Sequence, residues 1–510
     1  MGTAPTIAQN VGLLTAANLL MRGVSMLFQI YLTAQVGAAG VGLLQLIMTV
    51  NLFALTLGTS GLKVAALYLS AEEYGLGRYG GVRRAMFWCL SVGLLLSGLV
   101  GAGMAAGAAY LAATWVKDLR AVASLRLLGL TLPLNCLSMI LAGGFTACGQ
   151  VRRLVAVEIG DKLATVGLTV LLLSRGVAGD LAHACAAIVA GNAVGAAGSV
   201  AVLFGMLLRW LRNMERSADA EAPGGQMGRR MLGVAVPVAL NDYLRSGLGT
   251  LEQFLIPWGL ARSGGSHTQA MADYGTIHGM VFPLLMFPCT VLYAVADVLV
   301  PELARCRATQ NRRRAARLVS RCLGLGCLYA AAVAGFFYVL ALPLGQLLYQ
   351  SGDAGRYMRL FAPTALMLYL DCIVDGMHKG LGQQVYCVRV NTFTSVLDVG
   401  LLFLLLPRFG IAGYYVSFLI SHAVNFYLSI RRLWQETGAG IPWRQVWPGL
   451  AAVAAASAAV YWLVPSASRW GSVFVAAGVY LGLLALAGLL GGGALTELLP
   501  RGTMKKKSGR

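Results

Sequence analysis

This sequence predicts an all-α polytopic membrane protein, and three observations point there. The chain has 510 residues, of which 58% are hydrophobic and only 12% charged, and its mean hydropathy is +0.71; soluble globular domains carry about twice that share of charge. The apolar residues fall in runs of about twenty, the length at which a helix crosses a hydrocarbon core of about 30 Å. The short loops between the runs gather arginine in alternate positions, as loops on one side of a membrane do.

Taken in order, apolar spans are predicted near 11–34, 41–69, 85–115, 121–147, 154–173, 181–208, 231–260 and 274–299. Further spans follow near 318–348, 358–381, 388–406, 411–430, 446–464 and 472–490, about fourteen transmembrane helices in all. The first ten residues carry no Lys or Arg, and the apolar run after them is long enough to span, so the first helix is expected to be retained rather than cleaved. Arg78, Arg83 and Arg84, then Arg152 and Arg153, then the arginines of 209–230, 305–317 and 431–432, and finally Lys505 to Lys507, all fall on one side. The positive-inside rule makes that side cytoplasmic and places both termini there. A dedicated lipid-headgroup site is the alternative use for these cations.

A formal net charge of +20 suggests nucleic acid only where a basic soluble face exists, and no stretch is long and polar enough to build one. The ten cysteines form no CxxC pair and no Cys/His cluster at metal spacing, so they read as small core residues and call for no cofactor and no metal.

The chain also repeats itself. Arg22 recurs as Arg245, Arg84 as Arg314, Arg126 as Arg359, and Gly149-Gln150 as Gly382-Gln383, at an offset that grows slowly along the chain. A duplicated unit with small loop insertions gives that pattern. Six helices per unit is an even number, so both halves insert the same way up and form a parallel repeat. The predicted organisation is an N-terminal lobe 1–211, a cytoplasmic linker 212–230, a C-terminal lobe 231–435, two additional helices in 436–492 and a basic cytoplasmic tail 493–510.

Candidate site residues are the polar groups inside apolar runs, because burying a charge in hydrocarbon costs about 2.5–3.5 kcal/mol on insertion scales. Arg22 stands in such a run, with Asn18 four residues before it and Gln29 seven after; Asn241 and Arg245 repeat the first spacing in the second half. Lys63 lies in the second span. Together Arg22, Arg245, Lys63, Asn18, Gln29 and Asn241 make a cationic, hydrogen-bonding lining suited to an anion, arginine in particular binding phosphate oxygens through two donors at once. The competing reading pairs Arg245 with a carboxylate such as Asp242 and lets Lys63 snorkel to an interface. In the tenth span Asp371, Asp375 and His378 recur at spacings of four and three along one helical face. Two nearby carboxylates in low dielectric do not both ionise easily, which makes this face a candidate for a coupling proton or sodium ion; the alternative leaves His378 and Lys379 at the cytoplasmic end. Glu158, Asp161 and Lys162 read as an intrahelical ion cluster, and His183 and His422 as lone packing residues.

The motifs Gly37, Gly40-Val41-Gly42-Leu43-Leu44-Gln45-Leu46 and Gly58-Thr59-Ser60-Gly61-Leu62-Lys63 carry a resemblance, continued by Tyr274-Gly275, Phe282-Pro283, Phe287-Pro288, Leu299-Val300-Pro301-Glu302 and Gly380-Leu381-Gly382-Gln383. They resemble the stage V sporulation protein B branch of the polysaccharide flippases, in the multidrug/oligosaccharidyl-lipid/polysaccharide exporter superfamily that also holds the lipid II flippase. The resemblance implies two six-helix lobes around a central cavity, alternating access, a bacterial cell membrane and export of a polyprenyl-diphosphate-linked glycan precursor, such as a peptidoglycan or spore-cortex unit. It also implies that the two terminal helices form a groove for the lipid tail. The lipid II flippase carries an arginine deep in its eighth helix, where this chain has His278 and Asp297. A cation-coupled drug or metabolite antiporter of the same superfamily is the alternative. The drug antiporters typically have an acidic residue in the N-terminal lobe, whereas the first two spans offer Arg22 and Lys63. A membrane enzyme is disfavoured, since the outer loops hold no paired acid and base. The partners expected are the lipid-linked sugar, membrane lipids and a coupling ion, with no nucleic acid.

Overall fold

The computed structural model describes residues 7–174, 181–214, 226–463 and 470–490, with side chains over 20–150, 152–174, 181–209, 226–462, 471 and 473–485. Most of the expected linker and the whole basic tail lie outside the described residues, as does the side chain of Asn18. All the regular structure of the described residues is helical, joined by short turns. Its longer helices are α1 Ile7–Thr59, α2 Leu62–Gly75, α3 Tyr79–Ala106, α4 Val122–Ala147, α5 Val151–Ser174, α6 Leu181–Met214, α7 Met227–Arg262 and α8 His267–Thr276. They continue as α9 Cys289–Ala308, α10 Arg312–Tyr349, α11 Gly352–Phe361, α12 Ala365–Gly380, α13 Gln384–Thr437, α14 Trp443–Leu463 and α15 Trp470–Leu490.

The protein is a multi-pass membrane protein by the length and hydropathy of these helices. Among the described residues seven helices meet both criteria, or eight if α9 and the segment before it, bent by 54° at Phe287–Pro288, count as one span. Fourteen spans were expected, and part of the difference has a plain cause. α1 and α13 each run through a break, at Gly37 (φ 69) and Gly410 (φ 56), that falls between two expected spans. A left-handed φ is open to glycine without the clash a Cβ would bring, so the chain turns there with almost no loop. α5 and α7 meet the length but carry charges inside them: Glu158, Asp161 and Lys162 in one, Asp242, Arg245 and Glu252 in the other.

By Cα packing the chain groups into two units, residues 1–275 and 276–510. In the first, a core of Leu62, Leu69, Val82, Met86, Ile140, Phe145 and Leu203 joins α2, α3, α4 and α6, and Met231 and Ala235 bring α7 onto it. The sequence repeat assigns α7 to the second lobe; its packing here is with α1, α2 and α3. In the second unit Leu303, Val319, Leu323, Ala330, Tyr369, Ile373 and Leu433 join α9, α10, α12 and α13. All ten cysteines are free thiols and eight are buried, in keeping with their reading as small core residues.

Two glycines of the sequence motifs meet across the first unit. A Cβ on Gly42 would overlap the Met271 carbonyl oxygen, and one on Gly275 would overlap the Ala38 carbonyl oxygen. The α1 and α8 backbones therefore touch, which only glycine permits. Gly275→Ala is expected to force the two helices apart at a cost of about 1–3 kcal/mol and to lower the melting temperature, whereas Gly98→Ala, with nothing within 4 Å of its new methyl, should not lower it. Equal melting of the two variants would contradict the close crossing.

Candidate functional site

The cations that the sequence places in apolar spans occupy three helices of the first unit. Arg22 lies on α1 before the Gly37 break and is exposed at the protein surface; Gln29, two turns on, is half-buried. Lys63 opens α2, is exposed, and lies within electrostatic reach of Glu158 on α5. Glu158 thus has a cation on another helix, beyond the local cluster expected of it. On α7 Asn241 is half-buried and Arg245 exposed.

What fixes α7 is a row of hydrogen bonds to the elbow where α1 ends and α2 begins. Ser60 Oγ donates to Asp242 Oδ2 at 2.6 Å, Tyr243 Oη donates to the Leu57 carbonyl at 3.0 Å, and Ser246 Oγ donates to Thr56 Oγ1 at 3.3 Å. Asp242, the carboxylate that the sequence offers to Arg245, is thus bound to a hydroxyl on the α1–α2 elbow. Two turns further along α7, Gln253 Oε1 accepts from the buried Tyr274 hydroxyl at 2.7 Å.

At the other end of α7, Arg230 reaches two acids at the end of α2, Glu72 Oε2 at 2.8 Å and Glu73 Oε1 at 2.9 Å. Glu73 is only 1% exposed. Its second oxygen packs against Gly81 and has no hydrogen-bond partner among the described residues, so Arg230 supplies the cation that makes this buried carboxylate tolerable. Sequence reasoning treated Arg230 as one more topology arginine and passed over Glu72 and Glu73. An acid pair closing a span that a glycine turn follows was the available signal.

The second unit holds a polar seam between α12 and α13. His378 is fully buried and its Nε2 is 3.0 Å from the Ser429 carbonyl oxygen. Asp371 Oδ2 is 3.7 Å from His422 Nδ1, and Asp375 lies half-buried between them on α12. Beside them Asn425 Nδ2 donates to Asn391 Oδ1 at 3.0 Å and to Thr394 Oγ1 at 3.2 Å, and Ser417 Oγ donates to Asp398 Oδ1 at 3.0 Å. The sequence singles out Asp371, Asp375 and His378 but reads His422 as packing. The missed residues were legible as stripes: Asn391, Thr394 and Asp398, and Ser421, Asn425 and Ser429, recur every three or four residues on helices otherwise apolar.

Comparison with known proteins gives this geometry a setting. The model of a family described as polysaccharide biosynthesis protein matches residues 7–306, and one described as lipid II flippase MurJ matches residues 280–481. Stage V sporulation protein B of Bacillus subtilis (strain 168) is 20% identical over 412 residues, 80% of this chain and 80% of that protein. Among solved structures, an inward-facing multidrug resistance MATE family transporter of the MOP superfamily is similar with a TM-score of 0.66 at 14% identity, covering 82% of this chain and 96% of the other. Lipid II flippase MurJ in an inward closed conformation is similar with a TM-score of 0.63 at 11% identity, covering 95% of this chain and 100% of the other. At these identities the structural likeness speaks for the fold alone.

Proposed function

The chain belongs to the polysaccharide biosynthesis protein family, and we propose that it flips a polyprenyl-diphosphate-linked glycan precursor from the cytoplasmic to the outer leaflet of a bacterial cell membrane. Alternating access moves the headgroup, and no covalent bond is made or broken, so the chain is a transporter and not an enzyme. The lobes are 1–211 and 231–435, the pair in 436–492 is additional, and both termini are cytoplasmic.

The observation that carries this reading is the set of cations Arg22, Lys63 and Arg245 on α1, α2 and α7 of a chain in this family. A diphosphate is the anion such a set suits, since each arginine offers a fork of donors to two phosphate oxygens. Asn18, Gln29 and Asn241 add neutral donors for phosphate or sugar. The peptidoglycan precursor lipid II is the first headgroup to test, given the lipid II flippase model's match to 280–481; spore cortex follows from the likeness to a sporulation protein.

The likeness to a multidrug transporter favours a second reading, a cation-coupled antiporter for drugs or metabolites. Thermal unfolding of the purified protein separates the two, because a ligand that binds the native state raises the melting temperature. A polyprenyl diphosphate is expected to raise it and tetraphenylphosphonium to leave it unchanged; the reverse result would favour the antiporter.

Asp371, Asp375 and His378 form the coupling site in this proposal, with His422 beside Asp371 as the group that responds to the ion. Occupancy by a proton or sodium ion biases the inward or outward state. Asp371→Asn removes the charge and keeps the shape, so it is expected to abolish the acceleration of transport by an imposed ion gradient while substrate binding persists. Unchanged gradient dependence in both Asp371→Asn and Asp375→Asn would exclude this helix face.

A further inference from the structure

The α9–α10 turn carries far more positive charge than orientation in the membrane needs. Between residues 302 and 321 stand seven arginines, 305, 307, 312, 313, 314, 317 and 321, and one acid. That acid, Glu302, binds Arg305 at 2.9 Å and Arg314 at 3.0 Å, so its single charge is shared.

Register sorts these arginines. The inner face of α10 is Val319, Leu323 and Ala330 in the core, with Gly326 against Ile373 of α12. Half a turn round, the opposite face meets the terminal helices: Leu328 packs on Gly449 of α14, Gly335 on Ser457 of α14 and Tyr480 of α15, and the Tyr480 hydroxyl donates to the Ala332 carbonyl at 2.8 Å. Steps of seven back from Leu328 reach Arg321 and then Arg314, and Arg317 falls between them at three and four. The three arginines thus continue, toward the cytoplasmic end, the stripe that α14 covers higher up. α14 begins at Trp443 and seats Val446 against Cys327, leaving the arginine stretch beyond it; Arg314 and Arg317 are exposed and Arg321 is half-buried.

Depth sets what they meet. α10 has 38 residues, about 57 Å of helix against a hydrocarbon core of about 30 Å, so its first turns stand in the headgroup layer. Trp443 and Trp447 on the neighbouring helix are 57% and 68% exposed, and tryptophans so placed mark the membrane–water boundary. Arg314 and Arg317 therefore point away from the core at phosphate depth, while Arg321, one to two turns deeper on the same face, has its Nη2 buried.

We propose that Arg314 and Arg317, with Arg321 at the inner edge, form a site for the phosphate of an anionic phospholipid of the cytoplasmic leaflet. The exposure of Arg314 and Arg317 on the face away from the core favours bulk phospholipid over the transported lipid, and the inference holds whatever the chain transports. The guanidinium forks engage phosphate oxygens, and the anionic leaflet adds its own attraction for each arginine near the surface.

The test uses full-length protein reconstituted in phosphatidylcholine alone or mixed in equal parts with phosphatidylglycerol, reading the melting temperature and the phosphatidylglycerol retained after extraction by native mass spectrometry. Wild type is expected to melt higher in the mixture and to retain phosphatidylglycerol. The triple variant Arg314→Gln/Arg317→Gln/Arg321→Gln is expected to lose the shift and to bind the lipid about tenfold or more weakly, while melting as wild type does in phosphatidylcholine. Arg317→Gln alone, at an exposed position, gives a severalfold loss should the triple variant misfold. Arg305→Gln/Arg312→Gln/Arg313→Gln removes equal charge outside the stripe and is expected to keep most of the binding. Equal loss in both triple variants would reduce the site to diffuse charge, and no loss in either would overturn it. Displacement of retained phosphatidylglycerol from wild type by farnesyl diphosphate would assign the stripe to the transported lipid and overturn the proposal as stated.

Discussion

Arg22→Ala is expected to abolish flipping while leaving the protein folded. Losing two charge-assisted hydrogen bonds to a diphosphate costs about 3 kcal/mol, roughly a hundredfold in rate if the bonds matter most in the occluded state. Fold should survive, because the side chain is exposed on the protein and its removal opens no cavity in either core. Arg22→Lys should recover only part of the rate: a compact ammonium keeps the charge but cannot present the planar fork. Arg245→Ala is expected to fall between the two. The readout is the initial rate of headgroup exposure on the far leaflet, with melting temperature as the control; wild-type rates in Arg22→Ala would make the residue structural.

The second large effect is expected at Arg230. Removing it strands the Glu73 carboxylate, 1% exposed and with one oxygen already unpartnered among the described residues. Breaking a fully buried pair costs about 3–5 kcal/mol, but Arg230 is 36% exposed, and discounting for its hydration leaves about 2 kcal/mol, roughly thirtyfold in an equilibrium. That pair and the Ser60–Asp242 bond hold α2 and α7 together, and in the proposed lobe arrangement those helices separate when the chain opens toward the cytoplasm. Arg230→Ala should therefore speed hydrogen exchange at the start of α7 and shift the chain toward its open state. Glu73→Gln added to Arg230→Ala should restore much of the protection, since no buried charge is left. Strictly additive effects of the two substitutions would mean that the pair does not act as a latch.

The helical, multi-pass character was legible because hydrocarbon selects for composition and length, both of which are written along the chain; the expected count of fourteen spans was not reproduced among the described residues, though the breaks at Gly37 and Gly410 fall where the apolar runs pause. Partners were not legible. Ser60 and Asp242 lie 182 positions apart, and Arg230 and Glu73 lie 157 apart; no periodicity within a helix announces such pairs. Asp242 could be read only against its near neighbour Arg245, so its bond to the α1–α2 elbow went unforeseen. Spacing did find Asp371, Asp375 and His378, because one helix carries all three, but it could not supply His422, which the fold brings in from α13. The glycines at 42 and 275 were visible as motif and acquire a physical reason only where α1 crosses α8.

The most direct measurement is the appearance of lipid II headgroups on the far leaflet of proteoliposomes holding the purified chain, with wild type and Arg22→Ala reconstituted at equal density. Wild type is expected to expose the lipid well above protein-free vesicles and Arg22→Ala to stay near their background. Exposure no faster than in protein-free vesicles, across lipid II and other polyprenyl-diphosphate-linked glycans alike, would contradict flipping as the function.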